Sequence, residues 1–294
     1  MNNMKVNFYV NNYLNFIESS YSVNDFLKDV LEISNRLLHF LIINNLVFLN
    51  GKPCDTRTFI NLNDSISIDF GYLEDNSNIV PCKMDLDIQY EDSWLLIVNK
   101  PSGVAIHPSI LHYDDSLSNG VKYYFDKIGL KKKIRPVNRL DFNTSGLVIF
   151  AKCSYIHENL SKQMQNGEFS KMYLALVKGN LNKKQGIINL PIGRKDGSII
   201  ERCIDFKNGQ NAITKYEVLK FFENKNCSLV KCQLITGRTH QIRVHFSAIS
   251  HPLIGDSLYN DDFKNLNDNN NGQMLHCYFL KFKHPFKWSF LGRA

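Results

Sequence analysis

Between residues 87 and 237 the chain lays down six short runs rich in branched and aromatic residues: DIQYED, WLLIVNK, GLVIFAK, KMYLALVKG, AITKYEVLKFF and SLVKCQLITG. They are too short and too β-branched for long helices, and turn-forming residues such as Lys100-Pro101 with Gly103 punctuate them. Helical spacing occurs at Ile156, Leu160 and Met164, which Ser154 is placed to cap, and again near THQIRVHFSAIS. Strands thus outnumber helices and their spacing is mostly hairpin-like. The expectation for residues 87–294 is an α+β domain around a central mixed, largely antiparallel sheet.

The segment in front has a different rhythm. Ser22 with Asp25 reads as a capping box ahead of Val23, Phe26, Leu27, Val30 and Leu31, and Ser34 can cap a second helix bearing Leu37, Leu38, Leu41 and Ile42. Val47-Phe48-Leu49 then enters Asn50-Gly51, a hairpin turn, and Ile66, Ile68 and Phe70 alternate as in a half-buried strand. Residues 15–70 are therefore expected to form a small helix-helix-hairpin domain. Residues 71–86, polar and containing Pro81, read as the linker to the larger domain. The Asn-rich stretch 265–272 is expected to be a surface loop, and KFKHPFKWSFLGRA a last strand with a short extension.

Charge divides along the same boundary. The chain carries a net +7, yet residues 1–70 hold five Lys/Arg against seven Asp/Glu and the linker one against three, so the whole positive excess belongs to residues 87–294. Such an excess suits nucleic acid, where basic side chains displace condensed counterions. Seven scattered cysteines without a CxxC pair fit a reducing compartment. With no export signal and no apolar run long enough for a span, the expected address is cytoplasmic, without membrane contact. GxxxxGK and GxGxxG phosphate loops are missing from the sequence, which leaves nucleotide cofactors no footing.

The candidate chemistry centres on Asp141, in the polar loop Asp-Phe-Asn-Thr-Ser-Gly before Leu147-Val148-Ile149-Phe150. A carboxylate there can simply cap a turn. Arg139 lies two residues before it, and Arg238 sits in a similar loop, LITGRT; a guanidinium paired with a carboxylate keeps it ionised and aimed. His240, His245 and His251 are spaced by five and six, which does not set two rings on one helical face, so no metal site is expected. Ser145 with His107 makes a weak hydrolase pair, since Ser145 lacks a Gly-x-Ser-x-Gly elbow.

Two resemblances sharpen this reading. ISNRLLHFLIINNLVFLNGK, continuing to NLNDSISIDF, resembles the S4 RNA-binding domain, although S4 domains are usually basic and this segment is slightly acidic. VNRLDFNTSGLVIFAK resembles the catalytic motif of the RluA-type pseudouridine synthases, His-Arg-Leu-Asp-x-x-Thr-Ser-Gly, and IVNKPSGVAIHP, FSKMYLALVKG and LITGRTHQIRVHFSAISHPLIGDSLY agree with that family in order, over about residues 87–290. The S4-like front places it on the large-subunit ribosomal RNA branch, similar to the RluD type.

The resemblance implies conversion of uridine to pseudouridine in RNA, by a monomer needing no cofactor or metal. It implies Asp141 as the catalytic carboxylate, Tyr173 stacking on the target base, and Arg238 in a salt bridge to Asp141. The RNA-facing set expected with them is Arg139, Asn138, Lys100, His107, Arg135, Arg243, Arg36 and Lys52. Asn138 stands where the motif most often has His, which argues for a structural or RNA-facing position there rather than a proton carrier. Transfer RNA as substrate, and a non-catalytic RNA-binding role in ribosome assembly, are the alternatives. Nucleophilic attack by Asp141 at C1′ or at C6, and abstraction of the 2′ proton, all demand a carboxylate at the glycosidic bond and stay open.

Overall fold

In the computed structural model the described residues are 4–16, 21–263, 272–286 and 290–293. The first unit comprises β1 (Lys5–Tyr9), α1 (Val23–Asp25), α2 (Asn35–Ile43), β2 (Val47–Leu49), β3 (Lys52–Pro53) and β4 (Ser65–Asp69), in an antiparallel sheet ordered β1-β4-β2-β3. Ser22 and Asp25 form the expected capping box, with Asp25 N–H donating to Ser22 Oγ at 3.2 Å and Ser22 N–H to Asp25 Oδ2 at 2.9 Å. Past Asp25 the helix widens into a π-turn over Phe26–Val30, and the expected apolar stripe holds across it, with Val23, Phe26, Leu27 and Leu31 buried and Val30 half-buried against them. Ser34 caps α2, which buries Leu37, Leu38 and Leu41 but leaves Ile42 at 37% exposure, outside the expected face. Asn50 and Gly51 take φ of 51° and 79°, the primed-turn geometry that joins β2 to β3. Strand β1 lies upstream of the expected boundary at residue 15 and pairs along the whole of β4.

Residues 71–86 carry no regular element, yet they are tied down at several points. Arg135 grips Glu74 with both terminal nitrogens, Lys132 Nζ donates to the carbonyls of Phe70 and Tyr72, and Cys82 N–H donates to Asn119 O at 3.1 Å. The segment is a strap rather than a loose tether. Phe70 also stacks on Tyr155 and meets Trp94 edge-on, so the first unit and the larger one share a core.

The larger unit follows as β5 (Ile88–Glu91), β6 (Leu95–Lys100), α3 (Leu117–Lys127), β7 (Ser145–Ala151), α4 (Ser154–Gln165), β8 (Ser170–Lys178), β9 (Gln185–Asn189), β10 (Ile192–Arg194), β11 (Arg202–Ile204), β12 (Ile213–Phe222), β13 (Cys227–Leu234), α5 (Gln241–Ala248), β14 (Leu275–Phe282) and β15 (Phe290–Arg293). The sheet runs β5-β6-β7-β14-β8-β13-β12-β9, with β15 on β14 and β10–β11 as a separate ribbon. Among the described strands only β7 and β14 pair in parallel, so the sheet is mixed and largely antiparallel. None of the described helices is long and apolar enough to cross a membrane.

Strand β7 shows why a continuous apolar run was needed. Leu147, Ile149 and Ala151 lie in the main core with Ile156 and Leu160 of α4, while Val148 and Phe150 lie in a second core with Leu117, Val121 and Phe125 of α3. All five strand residues are fully buried, and burying a large aliphatic or aromatic side chain is worth about 1.5–3 kcal/mol. Gly146, the second residue of the strand, has φ of 118°, and a Cβ there would lie 2.3 Å from the Cys277 carbonyl oxygen. The glycine of Thr-Ser-Gly therefore lets β14 come alongside β7 where the Asp141 loop ends. Cys153 holds the N-cap position of α4, one residue before the expected Ser154, and the Ser154 hydroxyl bonds Tyr72 instead. The Asn-rich stretch lies outside the described residues except for Gly272.

Candidate active site

The start of β7, the start of β8 and the turn from β13 into α5 converge on one cleft. It encloses about 280 Å³, lined by Asn138, Arg139, Asp141, Lys171, Tyr173, Arg238, His240 and Arg243 among others. That is just below the about 300–1,000 Å³ usual for small-ligand sites.

Asp141 is held from behind. Thr144 N–H closes the turn onto Asp141 O at 3.0 Å, and Thr144 Oγ1 accepts from Gln273 Nε2 at 3.0 Å. The next residue, Phe142, has its carbonyl bonded by Gly103 N–H and by Lys100 Nζ, at 3.1 and 2.9 Å. Lys100 is 1% exposed and donates also to the carbonyls of Pro101 and Val104, both at 2.8 Å. Burial pushes its ammonium down to about 8, against the opposing pull of the Asp141 charge. Lys100 is thus a buried clamp on the loop and not the RNA-facing cation expected of it, because its ammonium is turned inward onto three converging carbonyls.

The carboxylate is 27% exposed and looks into the cleft. Its cationic partner is Arg243, whose Nη1 donates to Asp141 Oδ2 at 3.3 Å. The remaining face of that guanidinium is taken by Asp256, with Nε at 2.7 Å and Nη2 at 2.8 Å. Asp256 is fully buried and also accepts from the N–H groups of Leu258 and Tyr259, so both charges sit in a complete hydrogen-bond set. The expected Arg238–Asp141 bridge is not formed. Arg238 lines the cleft from its outer side, and its Nε donates to Asn211 O at 3.0 Å. One turn into α5 carries Arg243 round toward Asp141, whereas the 236–240 loop, pinned to β12 by Gln241, turns Arg238 outward.

Tyr173 is 5% exposed and borders the cleft from β8, with its backbone opposite Cys277 and Cys232. Burial holds its phenol well above the ordinary tyrosine value, so the ring enters the cleft as a neutral aromatic edge. Lys171, two residues earlier on the same strand face, also lines the cleft, and burial lowers its ammonium below the usual lysine value. The sequence reading passed over it, although Lys-Met-Tyr on a strand places Lys171 and Tyr173 on one side.

The other expected RNA contacts divide. Arg139, exposed, lines the cleft; His107 is on the surface within reach of the Arg139 charge, and Arg36 and Lys52 are exposed on the first unit. Burial first, then the Arg139 charge, keeps His107 below the ordinary histidine value. Arg135 is taken by Glu74, and Arg243 by the two carboxylates, so neither guanidinium is free for a phosphate. Asn138 is buried, with Nδ2 donating to Leu147 O and Oδ1 accepting from Ile149 N–H, each at 2.9 Å. Its amide ties the loop to β7 in place of touching RNA. Ser145 bonds His276 Nδ1 at 2.9 Å rather than His107. The three histidines of the α5 region go separate ways: His240 to Tyr259, His245 to Thr214 and Leu190 O, and His251 to Lys178 O.

Comparison with known proteins bears on the same stretch. Residues 94–248 match the sequence profile described as RNA pseudouridylate synthase. The chain is 37% identical to RNA pseudouridine synthase YhcT of Bacillus subtilis over 250 residues, covering 85% of this chain and 77% of that protein. It is 32% identical over 297 residues to ribosomal large subunit pseudouridine synthase D of Blochmanniella floridana, covering 92% and 91%. Among solved structures, human RNA pseudouridylate synthase domain containing 1 superposes with a TM-score of 0.60 at 28% identity, over 71% of this chain and 83% of that one.

Proposed function

This chain belongs to the RNA pseudouridylate synthase family and is an RNA pseudouridine synthase, an isomerase; we propose that it acts on large-subunit ribosomal RNA with Asp141 as its catalytic carboxylate. The observation that carries the assignment is the placement of Asp141, in the cleft between β7, β8 and α5 and bonded to Arg243.

The reaction breaks the N1–C1′ bond of uridine, turns the uracil and rejoins it through C5. The target base has to leave its stack to reach Asp141, at a cost of about a few kcal/mol for unstacking, and the Tyr173 ring offers a replacement aromatic surface. Arg139, exposed at the rim, is placed to fill the vacated stack or hold a phosphate. At the reacting centre Asp141 acts at C1′, at C6 or on the 2′ proton; each route uses the same carboxylate in the same place.

The ribosomal assignment draws on the similarity to the Blochmanniella enzyme along nearly the full chain. The first unit supports it as an S4-like RNA-binding module at residues 15–70, with Arg36 and Lys52 exposed for backbone phosphates, and the cytoplasm is the proposed site of action. Mapping pseudouridines in total RNA from cells with and without this protein tests the substrate. Loss of a large-subunit site supports the proposal, and loss confined to transfer RNA refutes it.

A further inference from the structure

His240 stands at the head of α5 with a left-handed backbone, φ 57°. Its Nδ1 is 2.9 Å from the Tyr259 hydroxyl oxygen. That same oxygen accepts the main-chain N–H of Arg202 at 2.8 Å. An amide N–H can only donate, so Tyr259 accepts from Arg202 and its hydroxyl proton is available to point along the contact with His240 Nδ1. A ring nitrogen that receives a proton in this way carries none of its own. In that arrangement a neutral His240 bears its N–H at Nε2. Nε2 is the ring atom that faces the cleft, 4.0 Å from Asp141 Oδ2.

The groups around the ring agree with the neutral form. Burial depresses the His240 value first; Asp141 and Asp256 pull it up, and Arg243 and Arg202 push it down, with the net result below an ordinary histidine. Arg243 also lies over the Tyr259 ring, 5.0 Å from its centroid, which fixes the phenol beside the same carboxylate cluster.

We propose that Arg202, Tyr259 and His240 form a tautomer lock, and that His240 is a positioning residue presenting Nε2–H to Asp141. The inference rests on the reading of Asp141 as the catalytic carboxylate. When a flipped nucleotide displaces water from the cleft, the 4.0 Å separation closes to a hydrogen bond, giving Oδ2 a second donor beside Arg243. Two donors from different directions fix which lone pair of Asp141 faces the nucleotide. The lock also excludes a role: with Nδ1 occupied and Nε2 protonated, His240 is not the base that takes the proton from C5.

Two measurements on the full-length protein test this. Nitrogen NMR of labelled histidine at neutral pH should give the Nε2–H pattern for His240, changing to mixed tautomers in Tyr259→Phe; an Nδ1–H or imidazolium ring in the unmutated protein overturns the lock. Kinetics separate the donor from the backbone. Glutamine places an amide N–H near the Nε2 position but tolerates a left-handed backbone poorly, whereas asparagine suits that backbone and places its amide near Nδ1. His240→Gln should therefore retain more kcat than His240→Asn, with KM for RNA unchanged in both and the Asn variant down about ten- to a hundredfold, the size of one hydrogen bond to a charged group. If Asn equals or exceeds Gln, the position serves only the backbone and the proposal fails. Full activity of Asp141→Asn would instead defeat the underlying reading, and the NMR result would stand apart from it.

Discussion

Arg243 Nη1 meets Asp141 Oδ2 at 3.3 Å, and the same guanidinium is fixed from behind by both oxygens of Asp256. The cleft carboxylate is thus aimed by a buried cation that is itself aimed by a buried anion.

It follows that Arg243→Gln and Arg238→Gln should differ sharply, although both residues lie in LITGRTHQIRVH. Removing the Arg243 partner should lower kcat by about ten- to a hundredfold, a charge-assisted hydrogen bond being worth about 1.5–3 kcal/mol. Arg238→Gln should leave kcat within a few-fold and act on KM for RNA. Steady-state rates on one transcript check the contrast, and equal losses of kcat would restore the Arg238 bridge expected from the sequence.

Lys100 should couple pH to stability. Its value is lowered to about 8, so between about 8 and the unfolded lysine value near 10.4 the unfolded chain binds the extra proton and stability rises with pH in that window. Below about 8 the buried charge is carried at its full desolvation penalty. Denaturant titrations of the unmutated protein and Lys100→Met across pH 7 to about 10.5 should show the difference between them drifting in favour of the unmutated protein. A constant difference would remove Lys100 as the titrating group. The same variant leaves the carbonyls of Pro101, Val104 and Phe142 without their donor, so it should also lower kcat by loosening the Asp141 loop.

Gly146→Ala should destabilise by about 2–4 kcal/mol, since the added Cβ meets the Cys277 carbonyl and the backbone is left-handed. A thermal melt unchanged from the parent would show that β7 and β14 can part without penalty.

What the sequence could reveal follows from how local each cause is. Ser22, Ser34 and Asn50-Gly51 act within three or four residues, and each is found doing the expected local work. The apolar run 147–151 could only be a strand buried on both faces. Helix α3 was hidden because Gly120 and the polar Ser118, Asn119 and Lys122 break its stripe, yet these four are buried or packed against 71–86. Strand β1 was missed because only Phe8 is buried along it and its strength comes from pairing with β4, sixty residues away. Asp141 and Tyr173 came into one cleft as expected, but the choice between Arg238 and Arg243 depended on which way a loop faces across the fold. Charge was also a poor guide to exposure: Lys100 and Arg135, counted as surface cations, are absorbed by carbonyls and by Glu74.

The most direct test of the central claim is an Asp141→Asn variant assayed on a large-subunit ribosomal RNA transcript, reading pseudouridine formed and RNA bound in the same samples. Asparagine keeps the size of the side chain and removes its charge and nucleophilicity. The account predicts RNA binding close to that of the unmutated protein with no detectable pseudouridine. Pseudouridine formation at the unmutated rate would contradict it.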